Sequence, residues 1–205
     1  MTLDQTISKR ESGDDRRLAI AAAARQIIVE KGLEGLRTRD IAARVGINIA
    51  TLHYHVPSKE ALVALVAESI RKDFRDQALR HSREGKTAHE QLHLEFDDFR
   101  ETMREMPELI IVLTELVERA RRDVAIANIM LPLHGFWRQQ FVEIFTLGVA
   151  EGSFRPDLDP QAAAAITTGA LADCWRQQSI SQFLLEPLLA ELERAFVRNP
   201  TSSQG

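Results

Sequence analysis

The stretch TRDIAARVGINIATLHYHVPSKEAL, residues 38–62, decides how this chain is read. Ile41, Ala42 and Val45 form the apolar face of a short helix from about Thr38 to Val45, and Gly46 breaks it. Asn48 is a good N-cap for a second short helix running to about His55. Val56-Pro57 ends that helix, because the residue before a proline is pushed out of the α region. Ser58 caps the next helix, which Glu60 and the alanines and leucines after it carry to about His81. Helices as short as the first two are not stable alone and need a third to bury their apolar faces. Residues 17–31 supply it: Ile20, Ala24, Ile27 and Ile28 recur at helical spacing, and Gly32 provides the stop.

In a three-helix unit of this kind the second short helix lies in the major groove with its exposed face toward base edges. Here that helix is NIATLHYHV, residues 48–56. Leu52 and Val56, four apart, point inward, which leaves Ile49, Ala50, Thr51, His53 and Tyr54 outward, with His55 near the end. Ile49 and Ala50 suit thymine methyls, whereas Thr51 and His53 suit hydrogen bonds to base edges. Arg37, Arg39, Arg44 and Lys59 form a basic rim for phosphates, and Lys59 adds a helix N-terminus that favours an anion. The charge balance agrees. Residues 1–59 hold ten Lys/Arg against seven Asp/Glu, while residues 60–205 hold sixteen against twenty-three, for a net charge of −4. A basic head on an acidic body fits a phosphate-binding module joined to a different domain.

The run 38–62 resembles the DNA-binding domain of the TetR family of bacterial regulators, and AAARQIIVEKGLEGL (22–36) fits that family's first helix and connecting loop. The resemblance is carried by Ile-Ala at 41–42, Gly46, Thr-Leu at 51–52, and the aromatic cluster and Ser-Lys-Glu helix start at 54–60. It implies that Thr38, Thr51, Tyr54, His55 and Lys59 contact the phosphate backbone, and that Arg39, Asn48, Ile49, Ala50 and His53 face bases or their edges. Two positions depart from the pattern. Arg37 stands where a hydroxyl residue often caps the second helix; an arginine replaces that phosphate contact but caps poorly. His53 stands where a tyrosine is usual and brings a group that titrates near neutrality. The ArgArgAsp at 121–123, the loop GSFRPDLDP (152–160) and the alanine-rich helix after it resemble the family's other half more loosely.

Beyond residue 62 the chain reads as helix after helix: about 87–106, then from Pro107 to the turn at 121–123, then 124–152 with Pro132 expected to start or kink a helix. Asp159 as N-cap and Pro160 at the first helical position open a helix at 160–178, and a last one spans 183–198. No period-2 segment competes, so the expected fold is all-α. A helix-turn-helix DNA-binding domain at 15–60 follows a flexible arm (1–14) carrying Lys9 and Arg10. A larger helical effector-binding and dimerisation domain spans 61–198, and a flexible tail spans 199–205. Phe96, Phe99, Met103, Trp137, Phe141 and Trp175, with His93 or His134 as polar handles, are the expected lining of a pocket for a small, largely apolar effector.

The resemblance also implies a homodimer through helices 160–178 and 183–198. Ala164, Ala165, Gly169 and Ala172 would permit close approach, and Leu184, Leu188, Leu192 and Phe196 would form an apolar stripe. The expected protein is a ligand-responsive transcriptional regulator, a repressor that binds a palindromic double-stranded operator as a dimer and is released by its effector. The helix at 58–81 links the two halves and is the natural lever.

Other chemistry is sparse. The single cysteine, Cys174, suits a reducing cytoplasm. No stretch of 18 apolar residues suggests a membrane, and no Walker, dinucleotide or nucleophile-elbow fingerprint calls for a cofactor or a catalytic residue. His89-Glu90-Gln91-Leu92-His93 matches the helical zinc signature of metalloproteases, which makes a zinc-dependent hydrolase the alternative. A third ligand is missing at any recognised spacing, so no metal is expected.

Overall fold

Local chemistry sets each helix boundary. The computed structural model describes residues 13–198, and of 178–183 the backbone alone. Helix α1 spans Gly13–Lys31, so it takes in the last two residues of the expected arm; residues 1–12 and the tail at 199–205 lie outside the described residues. After Gly32, at φ 67°, a single 3-10 turn covers Leu33–Gly35. Helix α2 (Thr38–Val45) ends at Gly46, whose φ of 72° is a left-handed conformation that glycine adopts without a Cβ penalty. The Ile47 N–H then donates back to the Ala42 carbonyl at 2.9 Å, which fixes the turn into helix α3 (Ile49–His55). The Ser58 hydroxyl caps helix α4 (Lys59–Arg80) by accepting from the Ala61 N–H.

Helix α5 (Ala88–Glu105) opens with a full capping box: the Thr87 side chain accepts from the Glu90 N–H, and the Glu90 carboxylate accepts from the Thr87 N–H at 2.8 Å. Helix α6 (Pro107–Ala120) begins with its proline, and helix α7 (Val124–Glu151) is capped by Asp123. Pro132 neither starts nor ends a helix. The helix runs through it at the cost of the donor that would reach the Asn128 carbonyl. Helix α8 (Pro160–Arg176) is capped by Asp159, and helix α9 (Gln178–Phe196) follows after Gln177 alone, so the break expected at 179–182 is absent. Among the described residues there is no strand beyond one isolated bridge, Phe154 to Val197, and no helix is long and apolar enough to cross a membrane.

Two apolar cores organise these helices. The first takes Ile20, Ile27 and Ile28 from α1, Ile41 from α2, Leu52 from α3 and Val63, Val66 and Ile70 from α4. It continues into Val112 and Leu116 of α6 and Ile126 and Met130 of α7. The apolar interior of the three-helix head therefore does not close at residue 60. The second core joins Phe96, Phe141, Phe145, Phe154, Leu171 and Phe196 from α5, the latter part of α7, the 152–159 loop, α8 and α9. The loop is stitched to the end of α9: the Arg155 N–H donates to the Phe196 carbonyl and the Arg198 N–H to the Ser153 carbonyl, each at 3.0 Å.

This packing alters the expected dimer stripe. Leu192 and Phe196 are buried in the chain's own core, as is Ala164, because α9 must cover α5 and α7. Leu184 and, on α8, Ile166 remain exposed, at 53% and 58%, and Gly169 has open space where a Cβ would stand.

Candidate nucleic-acid interface

Helix α3 has only seven residues, too few to persist unaided. It is held at three points. The Asn48 carboxamide oxygen accepts from the Thr51 N–H at 2.7 Å. Leu52 (0% exposed) and Val56 bury its inner face against α1 and α2, and a fully buried leucine contributes about 1.5–3 kcal/mol. At its far end the Arg17 guanidinium donates to the His55 carbonyl at 3.1 Å, placing a cation where the helix presents unpaired carbonyls. Arg17 is absent from the residues singled out in the sequence, because the contact joins positions 38 apart.

Most of the α3 positions expected to point outward do so. Asn48, Ile49, Ala50, His53 and Tyr54 are exposed, Tyr54 at 85%, while Thr51 and His55 are half-buried. Tyr54 packs edge-on against the His55 ring at 5.2 Å. An apolar isoleucine 48% exposed beside an almost fully exposed tyrosine is costly in water and gains from a partner surface.

The basic rim is less uniform than its sequence suggests. Thr38, Arg37, Arg39 and Lys59 are exposed. Arg39 makes only a 3.6 Å contact with Asp40, whose carboxylate already accepts from Lys31. Arg37 makes no cap with its side chain; its guanidinium donates to the Glu34 carbonyl at 2.7 Å, in line with its poor capping chemistry. Arg44 is committed elsewhere. Its guanidinium is held by both oxygens of Glu30 at 3.0 and 2.8 Å, which lowers the Glu30 carboxyl below its usual range. The anion site expected at the start of α4 is also partly filled, because the Ser58 hydroxyl takes the Ala61 N–H and Glu60 accepts from its own backbone N–H and from Ser58.

In the other half, Trp137 and Trp175 stack at 4.8 Å and Trp175 stacks on Phe99 at 5.4 Å. This aromatic pile separates two hollows. One, of about 70 Å³, lies among α4, α5 and α7 with Phe74, Gln77, Phe99, Thr102 and His134 in its wall. The other, a groove of about 540 Å³, lies among α6, α7 and α8 with Thr114, Val117, Arg138 and Gly169. Leu113, His134, Trp137 and Trp175 line both.

Residues 20–66 match the family model for bacterial regulatory proteins of the tetR family. The transcriptional repressor KstR2 of Mycolicibacterium smegmatis is 29% identical over 167 residues, 75% of this chain and 73% of that protein. The regulator EthR of Mycobacterium tuberculosis is 36% identical over 61 residues, 30% of this chain and 28% of its own length. A regulator from Saccharomonospora viridis, solved with choline, superposes with a TM-score of 0.79 at 20% identity over 91% of this chain and 100% of that one, a likeness of fold. Residues 20–66 carry the tetR-family DNA-binding segment.

The expected effector-lining residues divide. Phe99, Trp137 and Trp175 line the hollows, but Phe96, Met103 and Phe141 do not; Phe96 and Phe141 are sealed in the second core, 1% and 0% exposed. Helical spacing placed these six on apolar faces without telling core from cavity wall. Charge enters the smaller hollow too, since Arg83 pairs with the buried carboxylate of Glu95 beside Asp98. Burial pushes the Asp98 carboxyl up and the His134 imidazole down, Arg138 adding to the latter. The Trp175 indole N–H is buried and has no hydrogen-bond partner among the described residues.

Two contacts tie this half to the head. The Leu33 N–H donates to Glu115 of α6 at 2.9 Å, and Arg119 of α6 pairs with Glu34 at 2.6 Å. On the opposite flank Arg25 of α1 pairs with Asp73 of α4 at 2.5 Å.

The HEQLH segment separates into different roles. Glu90 serves the capping box, its Oε2 also 3.0 Å from the Thr87 hydroxyl, and so is not poised as a general base. The absence of a third ligand needs correction: Glu193 of α9 sits against both imidazoles, a hundred residues along the chain from His93.

Proposed function

We propose that this protein is a ligand-responsive repressor of the TetR family that binds a palindromic operator as a homodimer and leaves it when a small, largely apolar effector binds. The observation that carries the reading is the outward face of α3, where Ile49, Ala50, His53 and Tyr54 stand exposed on a helix fixed at both ends. Ile49, Ala50 and His53 read base edges, with Asn48 and Arg39 beside them. Thr38, Thr51, Tyr54, His55, Arg37 and Lys59 hold the phosphates. A two-fold dimer through α8 and α9, with Ile166, Gly169 and Leu184 at its contact, sets two such helices about 34 Å apart, one turn of the duplex.

The effector enters at the Trp137–Trp175 stack. The smaller hollow, about 70 Å³, falls short of the roughly 300–1,000 Å³ of common ligand sites while the adjoining groove of about 540 Å³ does not, so an effector seated in the groove extends into the hollow by displacing the stack. Aromatic walls and one unsatisfied indole N–H suit an apolar ring system bearing a hydrogen-bond acceptor. Movement of Leu113 on α6 travels along the same helix to Glu115 and Arg119, which grip the turn at 33–35 just before α2. Gln77 on α4 gives a second route through Asp73 and Arg25. The effector thus favours a conformer whose α3 spacing no longer fits successive major grooves.

The test is a fluorescence-anisotropy titration of duplexes tiled across the DNA flanking the gene, against scrambled duplex at matched salt. The expected result is one palindromic segment bound by two chains at least about 1,000-fold more tightly than scrambled duplex. Equal affinity for all duplexes, or binding by single chains, refutes the reading.

A further inference from the structure

His89 and His93 lie one turn apart on α5, and the structure aims both at a single point on α9. Their Nε2 atoms stand 2.6 and 3.0 Å from the same oxygen, Oε1 of Glu193, and the rings meet edge-on at 4.7 Å. One donor atom from each residue falls within 4.8 Å of the other two. We infer that these three side chains form a site for a divalent transition-metal ion of the Zn²⁺ class, which tethers the last helix to α5.

The donor set selects the ion. Two imidazole nitrogens and one carboxylate oxygen suit Zn²⁺, Co²⁺ or Ni²⁺, whereas Mg²⁺ and Ca²⁺ require mostly oxygen ligands. The geometry needs little change. Ligands of a tetrahedral Zn²⁺ lie at about 2.0–2.1 Å from the ion and so roughly 3.3 Å from each other, against 2.6 and 3.0 Å here. With side chains 40%, 44% and 31% exposed, the three can part by that amount, and the fourth position opens to water. Two of the ligands are spaced i, i+4 on a helix pinned by a capping box, so they are held in register before any ion arrives.

An open fourth position on a His-His-Glu set is also how hydrolytic zinc is held, but hydrolysis needs a base beside the bound water. Glu90, the residue the HEQLH pattern offers for that role, is bound to the Thr87 N–H and hydroxyl. The ion therefore joins helices and does not drive a reaction. Helix α5 carries Phe99 and Thr102 of the smaller hollow, and α9 carries Leu184 of the proposed dimer face, so metal occupancy bears on both.

The experiment uses the full chain without an affinity tag, stripped with chelator and titrated with Zn²⁺ against a chromophoric competitor. It is expected to bind one ion per chain, undisturbed by millimolar Mg²⁺. The double variant H89A/H93A loses at least about 100-fold in affinity and Glu193→Gln at least about 10-fold, while Glu90→Gln, which preserves the capping box, binds as the parent does. Equal binding by the double variant marks adventitious surface sites and overturns the assignment, as does a loss in Glu90→Gln matching that in Glu193→Gln. Should the double variant not fold by circular dichroism, Co²⁺ in the unaltered protein decides. Intense visible bands that Zn²⁺ abolishes uphold the site, and the weak spectrum of six-coordinate Co²⁺ overturns it. None of these readouts involves DNA, so they stand apart from the operator titration.

Discussion

The rim around α3 offers four cations of similar appearance in the sequence, and the structure assigns them different work. Lys59 is exposed at the start of α4, whereas Arg44 is gripped by both oxygens of Glu30. A cation already neutralised within the protein releases little counterion from DNA; an unengaged one releases about 0.9 per phosphate. With two chains on one operator, Lys59→Ala is expected to flatten the slope of log affinity against log salt by about 1.8. Between 50 and 200 mM salt, a fourfold change, that difference amounts to roughly 12-fold in affinity. The parent should lose about 12 times more affinity over the interval than the variant does. Arg44→Ala should leave the slope within about 0.3 of the parent and instead lower the melting temperature slightly, because a solvent-screened surface pair contributes little. Anisotropy titrations at four salt concentrations measure both slopes. An unchanged slope for Lys59→Ala, or a drop for Arg44→Ala as large as that for Lys59→Ala, refutes the assignment.

Three further outcomes follow from the packing. Glu115→Ala removes the acceptor of the Leu33 N–H; it should cost about 1.5–3 kcal/mol in denaturant unfolding and blunt the effector's influence on operator affinity, and full retention of that influence counts against α6 as a route. Gly148→Ala places a Cβ 2.1 Å from the buried Phe154 ring, so a loss of about 1–3 kcal/mol or more is expected, and an unshifted melting curve contradicts the packing at that turn. Partial desolvation of the His134 ring, which keeps an exposed edge, and the nearby Arg138 hold the imidazole below its ordinary value of 6.5, so the unfolded chain takes up a proton more readily there. Stability should fall as pH drops below about 6.5, and His134→Gln should lessen that decline; an identical pH profile for the variant refutes it.

Punctuation residues made the head legible. Gly46, Asn48, Val56-Pro57 and Ser58 each dictate a backbone event within a few residues of themselves, and α2, α3 and the start of α4 follow them. The same holds for Thr87 with Glu90 and for Asp159 with Pro160. Contacts between distant residues were not legible. Arg17 on His55, Glu115 on Leu33 and Glu193 on His89 and His93 join positions 38, 82 and 100 or more apart, and no local period encodes such pairings. Helical spacing likewise identified Phe96 and Phe99 as apolar, yet only packing decides that one is sealed in the core while the other faces a hollow. The stripe on α9 misled for the same reason: Leu192 and Phe196 have a choice of two apolar destinations, and the chain's own α5 and α7 claim them first.

The chain holds two tryptophans, and both stand in the partition between the hollows, stacked face to face. Excitation of indole therefore illuminates one place in the molecule and no other. Any compound that parts the stack changes the emission of an unlabelled sample, and compounds that attach elsewhere leave the emission as it was. A library can be screened for the effector by intrinsic fluorescence alone, without knowing the operator.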